Sequence, residues 1–138
     1  MTERFVDTSG WGAWADRREQ FHAQAVAAME AVWQGQKQVV TTNWVLAELT
    51  ALLTGPMRIS KPRQIALLDA IRSDPGVLVI PVDASVESAA WQLWRGRPDK
   101  DWTAVDCASF AVMQQRGLTE AVSTDRHFEQ AGFVRLLK

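Results

Sequence analysis

Four acidic residues in this chain stand where predicted strands end, or on helices that face those strand ends. Asp7 and Asp125 each follow a short apolar strand, whereas Glu48 and Asp106 lie in predicted helices. In an open α/β sheet, ligands bind in the crevice beyond the carboxyl ends of the strands. Four carboxylates that converge there would repel one another unless a cation lay among them. Oxygen ligands suit a hard divalent cation such as Mg²⁺ or Mn²⁺. The pattern therefore predicts metal-dependent phosphate chemistry.

Short apolar strands alternate with amphipathic helices along the whole chain, and these elements must position the four acids. The predicted strands cover residues 5–6, 37–42, 77–80, 120–124 and 133–136. The predicted helices carry apolar residues at helical spacing and cover residues 18–34, 43–54, 60–72, 83–95, 101–116 and 125–130. The continuous apolar run at 77–80 is typical of a strand covered on both faces. This alternation predicts an α/β fold with a parallel, helix-covered sheet.

Length and composition indicate one domain spanning residues 1–138. A chain of 138 residues with 47% apolar and 22% charged residues can bury a normal single core. The net charge of −1 provides no global basic field, but an acidic metal pocket can mask local basic stretches. One cysteine cannot form an internal disulfide, and no signal pattern or membrane-spanning run is present in the sequence. We therefore expect a cytoplasmic protein without a membrane partner.

Each acid also has an ordinary structural explanation. Asp7 and Asp125 stand where a helix N-cap or a turn would use a carboxylate. Asp106 falls in the first turns of a helix, where the helix dipole favours a negative charge. Glu48 lies on the apolar stripe of its helix, where a buried carboxylate is costly unless it is paired. Four independent structural roles are a less economical explanation than one shared metal site.

Other reactive residues give weaker signals. Cys107 has no neighbouring histidine or base in the sequence, and we interpret it as a small core residue. His22 and His127 lack the spacing of zinc ligands. The sequence contains neither a Gly-rich phosphate loop with its lysine nor a dinucleotide-binding glycine fingerprint. These patterns favour no second type of chemistry.

The tryptophans and basic residues indicate possible contact surfaces. Seven tryptophans are too many for one small core to bury fully, so they indicate either amphipathic surface packing or a partner interface. Basic residues that could hold a nucleic-acid backbone fall in two segments: Arg58, Lys61 and Arg63, and Arg95, Arg97 and Lys100. Solvated surface charge is the commoner explanation for such segments.

Four short motifs, taken in order, resemble a known family. They are Phe5-Val6-Asp7-Thr8-Ser9, Glu48 in the helix after the second strand, Asp106-Cys107-Ala108-Ser109-Phe110, and Ser123-Thr124-Asp125-Arg126-His127-Phe128. The chain resembles the PIN-domain ribonucleases and, within them, the single-domain VapC-type toxins of prokaryotic type II toxin–antitoxin pairs. The resemblance covers essentially the whole chain, and its specificity comes from the order and spacing of the motifs.

The resemblance implies a fold, an activity and a set of site residues. It implies a three-layer sandwich around a five-stranded parallel sheet, in which the first and fourth strands are neighbours. It implies an endoribonuclease that hydrolyses RNA with a metal-activated water, uses Mg²⁺ (or Mn²⁺), forms a homodimer and is inhibited by an antitoxin protein. The implied metal-binding and catalytic carboxylates are Asp7, Glu48, Asp106 and Asp125. The residues implied to support them through hydrogen bonds are Thr8, Ser9 and Thr124.

Three alternatives stay open at this point. A receiver-type phosphoacceptor domain also combines a parallel sheet with an acidic Mg²⁺ pocket, although it needs paired acids after the first strand and a late lysine. A catalytically weak PIN-like interaction module would keep the fold without the reaction, and a DNA nuclease would share the chemistry.

Asp101 stands before the helix that carries Asp106, and we expect it mainly to cap that helix.

Overall fold

The computed structural model describes residues 3–138. Its strands are short and lie in one sheet: β1 (Arg4–Val6), β2 (Val39–Thr42), β3 (Val77–Ile80), β4 (Glu120–Val122) and β5 (Val134–Arg135). The helices that connect and flank them are α1 (Thr8–Ala15), α2 (His22–Gln34), α3 (Asn43–Thr54), α4 (Lys61–Ser73), α5 (Ala84–Gly96), α6 (Ala104–Arg116) and α7 (Arg126–Gln130). None of these helices is both long enough and apolar enough to cross a membrane.

The five strands are all parallel and lie in the order β3-β2-β1-β4-β5. This confirms the predicted α/β fold with its five-stranded parallel sheet. β1 pairs with β4, with Val6 opposite Val122, so the residues that follow these two strands meet at the same edge. A receiver-type sheet has the order 2-1-3-4-5. The observed order therefore excludes the phosphoacceptor alternative.

The central strands and α6 form the middle of the core. Phe5 and Val6 of β1 and Val122 of β4 are fully buried, as expected for strands covered on both faces. In α6, seven consecutive residues from 107 to 113 are buried. Cys107 is one of them, which agrees with its interpretation as a core residue. Burial, followed by the nearby charge of Asp106, raises the pKa of its thiol to about 11.

Two elements differ from the sequence-based predictions. β3 is an edge strand, and its four residues are only partly buried, whereas the continuous apolar run predicted full burial on both faces. α1 was not predicted at all, because its first residues read as a turn. It packs closely on β4: a Cβ added at Gly10 would lie 2.0 Å from the carbonyl oxygen of Val122. Only glycine permits this approach.

Two helix caps also differ from expectation. From the sequence, Asn43 would be expected to cap α3, but Thr42 is the N-cap, and its hydroxyl accepts the backbone N–H of Val45. Asp101 does not cap α6, so that prediction was wrong. Thr103 is the N-cap, and it forms a capping box with Asp106, in which each side chain accepts the other residue's backbone N–H.

Candidate active site

The four acids predicted from the sequence line one cleft at the carboxyl edge of the sheet. Asp7, Glu48, Asp106 and Asp125 border this cleft, whose volume is about 180 Å³. Asp7 and Asp125 follow the paired strands β1 and β4 and cap α1 and α7. Glu48 lies in α3, and Asp106 lies in the first turn of α6. Four separate segments thus contribute one carboxylate each to the same concave surface.

Asp7 is the most buried of these acids, with 8% of its surface exposed. Its carboxylate accepts hydrogen bonds from Ser9 Oγ at 2.7 Å, from the Gly10 backbone N–H at 2.8 Å and from Ser123 Oγ at 2.6 Å. Burial raises the pKa of Asp7 from 3.8 to about 7. The three hydrogen bonds lower the pKa and the charge of Asp125 raises it, but both effects are smaller than that of burial. Asp7 therefore carries a charge at neutral pH only at considerable cost.

Ser123 is a site residue that the sequence analysis missed. It is fully buried, and its hydroxyl donates to Asp7 and accepts the backbone N–H of Asp125 at 2.9 Å. The side chain of Thr124, which was expected to support the acids, makes no hydrogen bond to any residue from 3 to 138. Only the Thr124 backbone takes part, with its N–H donating to Ser9 Oγ at 3.0 Å. For Ser123, the available signal in the sequence was a hydroxyl side chain directly after a buried apolar strand.

Glu48 lies at the exposed rim of the cleft and not on the apolar stripe of α3. The neighbouring Leu49 points into the core instead. Thr8 Oγ1 donates to Glu48 Oε1 at 2.5 Å, which links α1 to α3 across the mouth of the cleft. The expected burial of Glu48 was therefore wrong, and its carboxylate instead contacts Thr8 at the rim of the cleft.

His127 of α7 contacts two of the acids that border the cleft, although its position in the sequence matches no metal-ligand spacing. Its Nδ1 lies 2.9 Å from Asp106 Oδ2 and 3.4 Å from Asp125 Oδ1. Its backbone N–H also donates to Asp125 Oδ1 at 2.9 Å. A search for sequence spacing misses this contact because 21 residues separate His127 from Asp106. The spacing Asp125-x-His127 at the start of a helix is the only local signal.

The donor set of the cleft fits a divalent cation. Carboxylate oxygens are the preferred ligands of Mg²⁺ and Mn²⁺. Ligand atoms of Asp106, Asp125 and His127 all lie within 4.8 Å of one another. α1 and α6 begin at the cleft, and their positive N-terminal ends offset part of the repulsion among the acids. What remains is a concentrated negative charge that a cation would neutralise.

Comparisons with known proteins agree with this geometry. Residues 4–134 match the PIN domain. The chain belongs to the PIN-domain family. Over 133 residues it is 35% identical to the 23S rRNA-specific endonuclease VapC20 of Mycobacterium tuberculosis, and the alignment covers 96% of each protein.

Among solved structures, the fold is similar to the crystal structure of Mycobacterium tuberculosis VapC20, described as a sarcin–ricin loop cleaving toxin. The TM-score is 0.83 at 33% identity, with 99% of this chain and 100% of the other chain covered. The prediction of a VapC-type PIN-domain endoribonuclease is confirmed by these relationships. The acidic cleft also agrees with the divalent-metal dependence of PIN nucleases in general.

Proposed function

We propose that this protein is the Mg²⁺-dependent toxin of a toxin–antitoxin pair and that it cuts the sarcin–ricin loop of 23S rRNA. The observation that carries the proposal is the convergence of Asp7, Glu48, Asp106 and Asp125 on one cleft. The substrate is inferred from VapC20, whose similarity extends over nearly the full length of both proteins. Mn²⁺ is expected to substitute for Mg²⁺, since both accept oxygen ligands.

In this proposal the same four carboxylates hold the metal. When bound, one or two divalent ions would lower the pKa of a water molecule and stabilise the charge on the scissile phosphate and the leaving oxygen. The role of the protein is to keep the carboxylates aimed into the cleft. Ser9 and Ser123 fix the two oxygens of Asp7 from different segments, and the Thr103 backbone N–H holds Asp106 Oδ2 at 3.0 Å.

The interaction-module alternative explains this arrangement less well. A module that only binds a partner gains nothing from a buried carboxylate whose pKa is raised to about 7. Strongly perturbed groups in clefts are typical of functional sites. The DNA-nuclease alternative shares the chemistry, and the similarity to an rRNA-specific enzyme favours RNA.

The proposed partners are an antitoxin protein and a second copy of the chain, and the proposed location is the cytoplasm. A groove of about 610 Å³ lies between α3, α4 and β3, and Leu46, Leu68 and Val79 line its apolar part. An amphipathic antitoxin helix would fit such a groove, and an antitoxin cation would be drawn to the acidic cleft nearby. Exposed tryptophans on α5 support the homodimer.

The test is cleavage of intact ribosomes from the organism that encodes the protein. We expect primer extension to find one cut in the sarcin–ricin loop with Mg²⁺ or Mn²⁺, and no cut in excess EDTA. Asp7→Asn is the matched inactive control, since it keeps the size of the side chain. Cleavage that persists in EDTA would exclude the metal mechanism. A metal-dependent cut elsewhere in the RNA would exclude the proposed substrate alone.

A further inference from the structure

His127 places a nitrogen donor beside Asp106 and Asp125, two of the acids that border the cleft. Its Nδ1 faces Asp106 Oδ2 at 2.9 Å and Asp125 Oδ1 at 3.4 Å. The side chains of all three residues are partly exposed, at 25%, 13% and 36% respectively, so an ion in the cleft could reach them. The three donors come from two helices that begin at the cleft.

These separations match those between neighbouring ligands of one small cation. Ligands at about 2.1 Å from an octahedral metal and at right angles to each other are about 3.0 Å apart. The two distances from Nδ1 bracket that value closely. The ligand atoms of all three residues lie within 4.8 Å of one another, so one cation could contact all of them.

The imidazole is held in this position by its own segment. The His127 backbone N–H donates to Asp125 Oδ1, which ties the start of α7 to the acid. The next residue, Phe128, is fully buried and packs edge-on against Phe110 of α6. Since α6 also carries Asp106, the packing of these two rings fixes the histidine relative to that carboxylate.

We propose that His127 Nδ1 is a direct metal ligand together with Asp106 and Asp125, and that it makes the site bind transition metals more tightly than Mg²⁺. Mg²⁺ strongly prefers oxygen ligands, whereas imidazole nitrogen is a good ligand for first-row transition metals. This inference rests on the proposed metal-dependent function, but it concerns only how the metal is held. The competing role for His127 is a hydrogen bond to the acids outside the ligand shell.

Mn²⁺ is the probe, because its electron spin reports directly on nitrogen ligands. Metal-stripped protein is titrated with Mn²⁺, and the electron paramagnetic resonance signal of free Mn²⁺ gives the affinity. Electron spin-echo modulation of the loaded protein is expected to show a ¹⁴N coupling of the strength of a bound imidazole. Labelling histidine with ¹⁵N should change that modulation to the ¹⁵N pattern in the unaltered protein.

His127→Gln removes the imidazole, and His22→Asn is the matched control. His22 is the only other histidine of the chain, and its Nδ1 contacts the Ala13 carbonyl oxygen at 2.8 Å, not the acids of the cleft. We expect His127→Gln to abolish the nitrogen coupling and to weaken Mn²⁺ binding by about tenfold or more, with a smaller change for Mg²⁺. His22→Asn should retain the coupling.

The outcomes separate this inference from the proposed function. Mn²⁺ that binds and supports RNA cleavage without a nitrogen coupling overturns the ligand role and leaves the function standing. A coupling that survives in His127→Gln also overturns it. Failure of the unaltered protein to bind Mn²⁺ or Mg²⁺ at millimolar concentration would overturn both the ligand role of His127 and the proposed metal-dependent function.

Discussion

At the scale of single residues, the site is defined by how each carboxylate is held. Asp7 is nearly buried and receives three hydrogen bonds, whereas Glu48 is exposed and receives one from Thr8. Burial of Asp7 without a cation opposes its ionisation. The buried charge of Asp7 should therefore lower the free energy of unfolding of the metal-free protein, and a bound cation would relieve this destabilisation.

We expect this cost to appear in the pH dependence of stability without metal. The pKa of Asp7 is raised from 3.8 to about 7. Between those values the folded protein keeps a proton that the unfolded chain has lost, so the free energy of unfolding falls as pH rises. Below pH 3.8 both states are protonated and the effect vanishes, while above about pH 7 the full cost is present.

Asp7→Asn should remove that pH dependence. A shift of this size corresponds to about 4 kcal/mol, and part of it is offset because asparagine accepts weaker hydrogen bonds than a carboxylate. In EDTA at pH 8 we therefore expect the variant to be more stable by about 2 kcal/mol, and near pH 4 to be no more stable than the unaltered protein. Urea unfolding at both values measures this. Equal stabilisation at both pH values would contradict the raised pKa.

Ser123 and Thr124 offer a second comparison between neighbouring residues. Ser123→Ala removes hydrogen bonds to Asp7 and Asp125, and residues that orient metal ligands typically matter by 10–100-fold. We expect cleavage to fall by about that factor. Thr124→Val keeps the backbone N–H that donates to Ser9, so its cleavage rate should stay within about twofold. Initial rates on one RNA substrate decide it. If Thr124→Val lost more cleavage activity than Ser123→Ala, the Thr124 side chain would support the carboxylates as first expected.

At the scale of elements, the cap of α6 sets the direction of Asp106. Thr103 accepts the Asp106 backbone N–H at 3.1 Å, while Asp106 accepts that of Thr103 at 3.0 Å. Thr103→Ala should lower the free energy of unfolding by about 1 kcal/mol. The exposed Asp101 is the matched control, and Asp101→Ala should change stability by less than about 0.5 kcal/mol. Thermal melts of the two variants check this. A larger loss for Asp101→Ala would mean that the cap has been assigned wrongly.

The order and type of most elements could be predicted from the sequence, because apolar periodicity and the breaks at Gly and Pro are local signals. α1 could not, since its small residues and tryptophans give no clear stripe and Gly10 reads as a turn. The edge position of β3 also depends on strand order, which no local pattern encodes. In the site, the four acids were predicted as a group, and their catalytic roles remain predictions. Ser123 and His127 were missed because their contacts with Asp7 and Asp106 join segments that are far apart in the sequence.

At the scale of the whole molecule, charge is unevenly distributed although the net charge is only −1. The acidic cleft would repel an RNA backbone, so basic residues elsewhere must contribute to binding. Arg97 and Lys100 lie in the segment that leads from α5 to α6, the helix that carries Asp106. Arg97 is paired with Asp99 and lies over the ring of Trp102 at 5.4 Å. The basic segment predicted from the sequence is thus joined along the chain to the helix that carries Asp106.

The outer face of α5 should form the homodimer interface. Trp91 and Trp94 are 41% and 48% exposed, and their rings pack edge-to-face at 5.5 Å. Exposed tryptophans are enriched among residues that dominate binding energy, at about 2 kcal/mol or more each. Replacing both with serine should therefore weaken dimerisation by about a hundredfold or more.

Analytical ultracentrifugation across a concentration series measures the dimerisation of each variant. Ile65→Ser is the matched control, because Ile65 is equally apolar and 54% exposed but lies on α4. We expect the control to dimerise like the unaltered protein, while the tryptophan double variant sediments as a folded monomer. Since neither tryptophan borders the cleft, the monomeric variant should still bind Mn²⁺. If the unaltered protein is monomeric at high concentration, or if the double variant dimerises normally, α5 is not the interface and the exposed pair must serve another partner.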